Sequence, residues 1–249
     1  MKKLLLLITG LLLLFSVEGQ ILRYSNYVAP IPEELGPFPI VTSITETTTN
    51  STDVSSHPIY LPVTTSTGDL LVVFFASDGN PDLSIDAGDS SEGWVIENSN
   101  VSSTTVRGAV IWTIVDETES LTLSTTTGQI SMAQTYRITN YETSDPISIT
   151  HAVWPTGAAN PPSNTGDYSA DDYLWIVAYA GDSYDSRASA APADFSDLAV
   201  TGVSVGGGCS VSSAQREHNT ADAYDPGAFT MTVADEWVAW TVIINPIQP

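Results

Sequence analysis

Four aspartates crowd one short stretch, Asp78-Gly-Asn-Pro-Asp-Leu-Ser-Ile-Asp-Ala-Gly-Asp89, at Asp78, Asp82, Asp86 and Asp89. Hard carboxylate oxygens gathered on a turn suit calcium, which takes six to eight oxygen ligands. The spacing is not that of an EF-hand loop, which needs acids at alternate positions and a closing Glu. A second acidic loop, Asp182-Ser-Tyr-Asp185, follows a comparable strand further on. Calcium on Asp78, Asp82, Asp86, Asp89, Asp182 and Asp185 is therefore the one cofactor reading the chain offers. Its alternative is a set of solvated loop tips with no cofactor.

A second set of residues is aromatic. Trp94, Trp154, Tyr168, Tyr184 and Tyr224 fall in or beside loops, where a flat ring can stack on the face of a pyranose. Trp112, Trp175, Trp237 and Trp240 lie inside apolar runs and belong in the core. Residues for catalysis do not declare themselves. Ser, His and Asp are present, but no Gly-x-Ser-x-Gly elbow is. His57, His151 and His218 lack metal-ligand spacing, and Gly206-Gly-Gly208 lacks the Lys and helix of a phosphate loop. Glu92, Glu97, Glu117 and Glu217 could serve glycoside hydrolysis only as a pair converging in space. Cys209, the single cysteine, allows no internal disulfide and reads as a small buried residue.

The elements that must carry these residues read as strands. From Phe38 on, short β-branched and aromatic runs alternate with Gly, Asn, Asp, Ser and Pro, and no stretch of ten residues keeps a helical period. Strands are expected near 39–46, 57–63, 69–77, 94–98, 104–115, 120–125, 129–138, 147–153, 172–181, 198–204, 209–217, 228–233 and 236–245. Thirteen short strands without helices predict an all-β fold, a β-sandwich of jelly-roll type.

The second half of the chain also repeats the first in outline. Asp69-Leu-Leu-Val-Val-Phe-Phe-Ala76 matches Asp172-Tyr-Leu-Trp-Ile-Val-Ala-Tyr-Ala180, and Ala133-Gln-Thr-Tyr-Arg-Ile138 matches Ala239-Trp-Thr-Val-Ile-Ile244. A period of about 100 residues is too long for a solenoid unit, so two pseudo-repeated halves of one sandwich are expected. The proline-rich run Pro155 to Pro162 separates them. Each half alone has too few strands to protect its edges, so 38–249 reads as one domain.

Strands 70–76, 109–115, 173–180 and 237–244 are apolar on both alternating faces. In the last, Val238, Trp240, Val242 and Ile244 form one face and Trp237, Ala239, Thr241 and Ile243 the other. A plain two-layer sandwich has one wet face, so these strands need a second cover. Either loops such as 79–93 and 155–171 supply it, or another protein chain does.

Met1-Lys-Lys followed by an apolar run to Phe15 has the layout of a signal peptide, with cleavage expected after Gly19. Residues 20–37, broken by Pro30, Pro32 and Pro37, read as a tether. Without residues 1–19 the chain is lysine-free, with five Arg against 28 acids and a formal charge of −23. Such a surface repels nucleic acid and anionic membranes. Secretion to the extracellular space or cell surface is the expected localisation, with no membrane span left after cleavage.

The order Gly68-Asp-Leu-Leu-Val, Gly93-Trp, Trp112-Thr-Ile, Gln134-Thr-Tyr-Arg-Ile138, Arg216-Glu217, Asp225-Pro-Gly-Ala-Phe-Thr230 and Glu236-Trp-Val-Ala-Trp-Thr241 resembles a β-rich domain of uncharacterised phage structural proteins and environmental bacterial surface proteins. It spans roughly residues 40–246. The resemblance implies turn and core determinants and carries over no catalytic residue. The expected function is thus that of an exported, non-enzymatic structural or adhesive surface protein that self-assembles as a surface-layer, filament or virion-like subunit. The tether segment Gln20, Ile21, Leu22, Arg23 and Tyr24 could add a strand to a neighbour in a homo-oligomer or polymer. The alternative is a carbohydrate-binding, lectin-like module assisted by calcium, and a secreted glycoside hydrolase stands behind both.

Overall fold

Leu70 to Ala76 and Tyr173 to Ala180 are completely or almost completely buried at every position, and the architecture follows from that. The computed structural model describes residues 38–48, 53–89, 93–102, 104–117, 119–154, 156–166, 172–204 and 208–248. The expected signal segment 1–19 and tether 20–37, with Gln20, Ile21, Leu22, Arg23 and Tyr24, lie outside these residues. So do Tyr168 and Glu92.

Two five-stranded antiparallel sheets carry the fold. The first has the order β1 (Ile40–Thr48), β8 (Ser131–Thr139), β3 (Leu70–Asp78), β6 (Val106–Ile114), β5 (Val95–Ser102). The second has the order β9 (Ile147–Trp154), β15 (Trp237–Ile244), β10 (Tyr173–Gly181), β13 (Ser210–His218), β12 (Ser196–Gly202). A three-stranded sheet joins β2 (Val54–Pro58), β7 (Thr122–Gln129) and β4 (Leu83–Ile85). A two-stranded one joins β11 (Ala188–Ala190) and β14 (Thr230–Met231). A short 3-10 turn covers Tyr184–Ser186. The expected all-β sandwich is present.

The period-2 pleat of β3 and β10 sends alternate residues to opposite faces. Leu70, Val72, Phe74 and Ala76 meet Leu174, Ile176, Ala178 and Ala180 between the two large sheets, together with Val238, Trp240, Val242 and Ile244. The other face of β3, Leu71, Val73 and Phe75, packs on Ile59, Leu121 and Leu123 with Leu83 and Ile85 of the three-stranded sheet. Val177 and Tyr179 of β10 pack on Ala188, Phe229 and Ala159, and Trp175 and Ile243 under Phe195, Ala221 and Tyr224. The chain thus covers its own double-sided strands, with β4 and Ala159 coming from the stretches 79–93 and 155–171. The apolar strand faces expected to drive assembly are not available to a second chain. Each fully buried Phe, Ile or Leu in these layers contributes about 1.5–3 kcal/mol.

Two short strands, β4 and β11, add to the expected set, and residues 59–63 of the expected strand 57–63 leave the sheet after Pro58. Three-residue strands such as Leu83-Ser-Ile85 and Ala188-Ser-Ala190 are too short to show alternation. They exist because the sheets beneath them need a lid.

A buried polar thread joins β8 to β13 across the central layer. Tyr136 Oη donates to Ser213 Oγ (2.6 Å), Ser213 Oγ donates to Gln134 Oε1 (2.5 Å), and Gln134 Nε2 reaches Val211 O (3.4 Å). Burial pushes the Tyr136 phenol well above its ordinary range, so it remains a neutral donor. The sheets leave no room for a side chain at Gly108, where a Cβ would lie 2.4 Å from Cη2 of Trp240 and 2.9 Å from Cβ of Ala180. We expect Gly108→Ala to cost about 1–3 kcal/mol through overpacking, read as a lower urea midpoint at unchanged slope. A midpoint equal to wild type would contradict this packing.

Candidate functional site

The loops after the two central strands converge at one end of the sandwich. Asp78 closes β3 and Asp182 follows β10, and each raises the proton affinity of its surroundings. Asp182 Oδ stands near Asp235, Asp78 and Glu236, whose backbone carbonyl accepts Asp182 N–H at 3.1 Å. Burial, then Asp235, Asp78 and Glu236, push the Asp182 carboxyl up to about 6, against a hydrogen bond from Thr105. Burial and Asp53 raise Asp78 as well. The Thr105 hydroxyl also donates to Glu236 Oε2. Beneath lies Cys209, fully buried, its Sγ 3.6 Å from Ala76 O. Burial raises that thiol far above its usual range.

The other loop acids do not join this corner. Asp89 accepts from Ser120 Oγ (2.6 Å) and Thr122 N, Asp86 accepts from Ser124 Oγ, and Asp82 pairs with Arg107 at 3.6 Å. Asp185 is exposed in the 3-10 turn. These side chains fasten the turns around β4 and β7 or point to solvent, so the six aspartates expected for calcium do not form one ligand set. Among the described residues no three His, Cys, Asp or Glu side chains are placed to hold a metal ion.

The aromatic set divides more sharply. Trp94 is 5 % exposed and packs with Leu71, Val73 and Phe75, so it cannot stack on a ligand. The Gly93 turn, at φ +80°, aims it inward. Tyr184 has the Arg187 guanidinium 3.4 Å above its ring. Tyr224 is wedged among Trp175, His218, Phe195 and Arg216, whose guanidinium stands 4.3 Å over it. Their faces are occupied. Trp154 is different: at 59 % exposure it is the open ring among the described members of the set.

The position of Trp154 follows from the register. It pairs with Trp237 at the end of β9, on the outer face that Ala239 and Ala152 continue. There the core row runs out to the sheet edge and stops in water. Ala152, Trp154, Thr156, Gly157, Ala158, Asn160 and Trp237 line an open cleft of about 410 Å³. Trp237 is buried, as expected for an apolar strand, yet it also forms a wall of this cleft.

A larger groove of about 600 Å³ between Phe38, Leu174 and Arg216 is already furnished. Arg216 Nη1 lies 3.8 Å from Asp194 and Gln215 Nε2 donates to Asp197 at 2.9 Å. Tyr60, 60 % exposed beside Val63, was not singled out from sequence, because a Tyr after His-Pro-Ile looks like strand.

The glutamates considered for hydrolysis are dispersed. Glu97 lies on the edge strand β5, Glu117 in the turn after β6, and Glu217 on β13 of the other sheet. His57 is buried between Thr125 Oγ1 (2.9 Å from Nε2) and Ser131 Oγ (2.9 Å from Nδ1) against Phe75. This places a Ser-His contact inside the core, where no substrate reaches it. His151 faces Asn98 (Nδ2 to Nδ1, 2.9 Å), and Asn98 Oδ1 also accepts Trp240 Nε1 at 3.0 Å, closing the β5–β9 side of the sandwich. Compared with known protein families, curated proteins and solved structures, the chain matches none.

The titrating groups give opposite slopes. Asp182, raised to about 6, adds stability that is full below pH 3.8 and is lost as pH rises through 6. His57, lowered by burial to about 4, adds stability that is full above pH 6.5 and is lost as pH falls through 4. We expect Asp182→Asn to raise Tm at pH 8 by about 2–4 °C, corresponding to ~1 kcal/mol after screening by solvent. The gain should vanish by pH 4 in scanning calorimetry. A gain independent of pH would disprove the carboxylate crowding.

Proposed function

We propose that the chain is an exported, non-enzymatic adhesive module that binds carbohydrate through the Trp154 cleft. One observation supports this above the rest: an indole 59 % exposed at the end of a rigid strand, over an apolar hollow with Asn160 and Thr156 on its rim. Stacking of an apolar sugar face on a ring, with a few polar groups for the hydroxyls, is the common plan of such sites. Strand β9 is held by eight consecutive pairs to β15, so the ring needs little ordering on binding. Export rests on the N-terminal pattern Met1 to Gly19. Among the described residues no helix is long and apolar enough to cross a membrane.

In this reading the domain is one jelly-roll-like sandwich built from two pseudo-repeated halves that meet through their large sheets. The support is the shared strand order: β1-β8-β3-β6-β5 in the first half and β9-β15-β10-β13-β12 in the second. The segments aligned from sequence, β3 with β10 and β8 with β15, hold equivalent places in those orders. A small sheet caps each.

A second reading, self-assembly by strand addition, is favoured by the edge of β9. Strands β1, β5 and β12 carry register shifts, which blunt an edge, and each contains an acid (Glu46, Glu97, Asp197). Strand β9 has neither. The segment Gln20 to Tyr24 of a neighbour, itself free of acids, would meet no like charge there.

On a glycan array, Trp154→Ala should abolish saturable binding while Tyr60→Ala leaves it intact. Trp94→Ala should act otherwise, lowering stability by about 3–5 kcal/mol as a core truncation. Binding that survives Trp154→Ala removes the lectin reading. For assembly, light scattering of the mature chain in rising salt should show oligomers that disappear when residues 20–37 are deleted. A monomer under all salt conditions rejects strand addition.

A further inference from the structure

The basic residues of the chain are Lys2, Lys3, Arg23, Arg107, Arg137, Arg187 and Arg216. They divide at the point where the fold begins. Lys2, Lys3 and Arg23 precede the described residues, and the next basic residue is Arg107, in β6. Loops are where proteolytic nicking concentrates. Among the described residues the loops hold no Lys, and Arg187 is the one Arg outside a strand.

Each of these arginines within the fold is held by both its side chain and its backbone. Arg107 lies in β6 between Ser77 of β3 and Val101 of β5, and its guanidinium donates to Ser99 Oγ and Asn80 Oδ1, both at 3.0 Å. Arg137 lies in β8 between Leu71 of β3 and Ser43 of β1, with Nε donating to Asp69 Oδ2 at 2.6 Å. Arg216 of β13 pairs with Trp175 of β10 and stacks on the Tyr224 ring. The Arg187 guanidinium covers Tyr184, and the Arg187 carbonyl accepts Thr232 N–H at 2.9 Å. The amide of Ala188 beyond it donates to Ser212 Oγ at 3.1 Å, so both sides of the Arg187–Ala188 bond are engaged.

A protease that cuts after basic residues has a carboxylate in its specificity pocket and takes its substrate as an extended strand. A strand already paired in a sheet must first be peeled away. For β6, β8 and β13 that means opening the largest core, to which Val106, Met132, Tyr136 and Val211 belong. Such open states are rarer than the folded one by about 10³–10⁸. Arg23 also differs in its sequence surroundings. Arg107, Arg137 and Arg216 stand beside the carboxylates of Asp82, Asp69 and Asp194. The stretch Gln20 to Pro32 contains no acid to compete with the protease for the guanidinium.

We propose that Arg23–Tyr24 is a processing site for an endoprotease of this class, and that the folded domain behind it is closed to the same enzyme. Water adds across the Arg23–Tyr24 amide, leaving a carboxylate on Arg23 and an amine on Tyr24, and cleavage stops there.

The test is digestion of the mature chain, residues 20–249, with trypsin at pH 8 without denaturant, followed by intact-mass measurement. We expect one lasting product, Tyr24–Pro249, with any cut after Arg107, Arg137, Arg187 or Arg216 at least about 100-fold slower. Arg23→Gln should leave the chain uncut. Val63→Arg, at a fully exposed loop position, should gain a cut after position 63 at a rate close to that at Arg23, with Tm within a few degrees of wild type. Survival of the Arg23–Tyr24 bond would overturn the processing site. Early cutting after any arginine of the fold would overturn the closed domain. A Val63→Arg chain that gains no cut would show that the loops themselves resist, and would overturn the placement of basic residues as the cause.

Discussion

Neither β3 nor β10 has a polar face, and everything else in the fold answers that constraint. A strand buried on both sides cannot end a two-layer sandwich, so the chain spends β2, β4 and β7 over one sheet and β11, β14 and the Phe195–Tyr224 loops over the other. Four layers result, with the largest core in the middle. The covers are short and uneven because they are shaped by what lies under them.

Hydrophobic burial alone would let the two large sheets slide over each other, since Val, Leu and Ile surfaces are forgiving of shifts. The thread Tyr136–Ser213–Gln134 removes that freedom: each group is buried, and any displacement would strand a donor or acceptor without water. Gly108 under Trp240 acts in the same direction through shape. Polar pairing and steric fit together fix which residues of the two halves face each other. That alignment also sets Asp78 beside Asp182 and brings Trp154 out at the edge.

The sequence made the strong elements readable, because β3, β6, β8, β10, β13 and β15 are long enough to display composition and alternation. Even the split of 237–244 into an inner face with Trp240 and an outer face with Trp237 is as the pleat requires. The covers were illegible: Leu83-Ser-Ile85 looks like any loop until a sheet below asks for it. The site was half legible. Trp94 and Trp154 each sit at a strand end in the linear sequence, yet one turn folds its indole in and the other strand carries it out. Asp78 and Asp182 are visible as matched loop residues, but their meeting depends on β3 and β10 running the same way across the sandwich, a property of topology that no local pattern encodes.

Cys209 shows what such burial does to reactivity. Its sulfur lies under the carboxylate corner with no exposed surface, and the negative field together with the dry surroundings suppresses the thiolate. A thiol that neither ionises nor meets reagents does not exchange with disulfides. The folded protein is thereby indifferent to the redox potential around it: it gains no cross-link in an oxidising medium and loses none in a reducing one. A fold built this way draws none of its stability from a covalent cross-link.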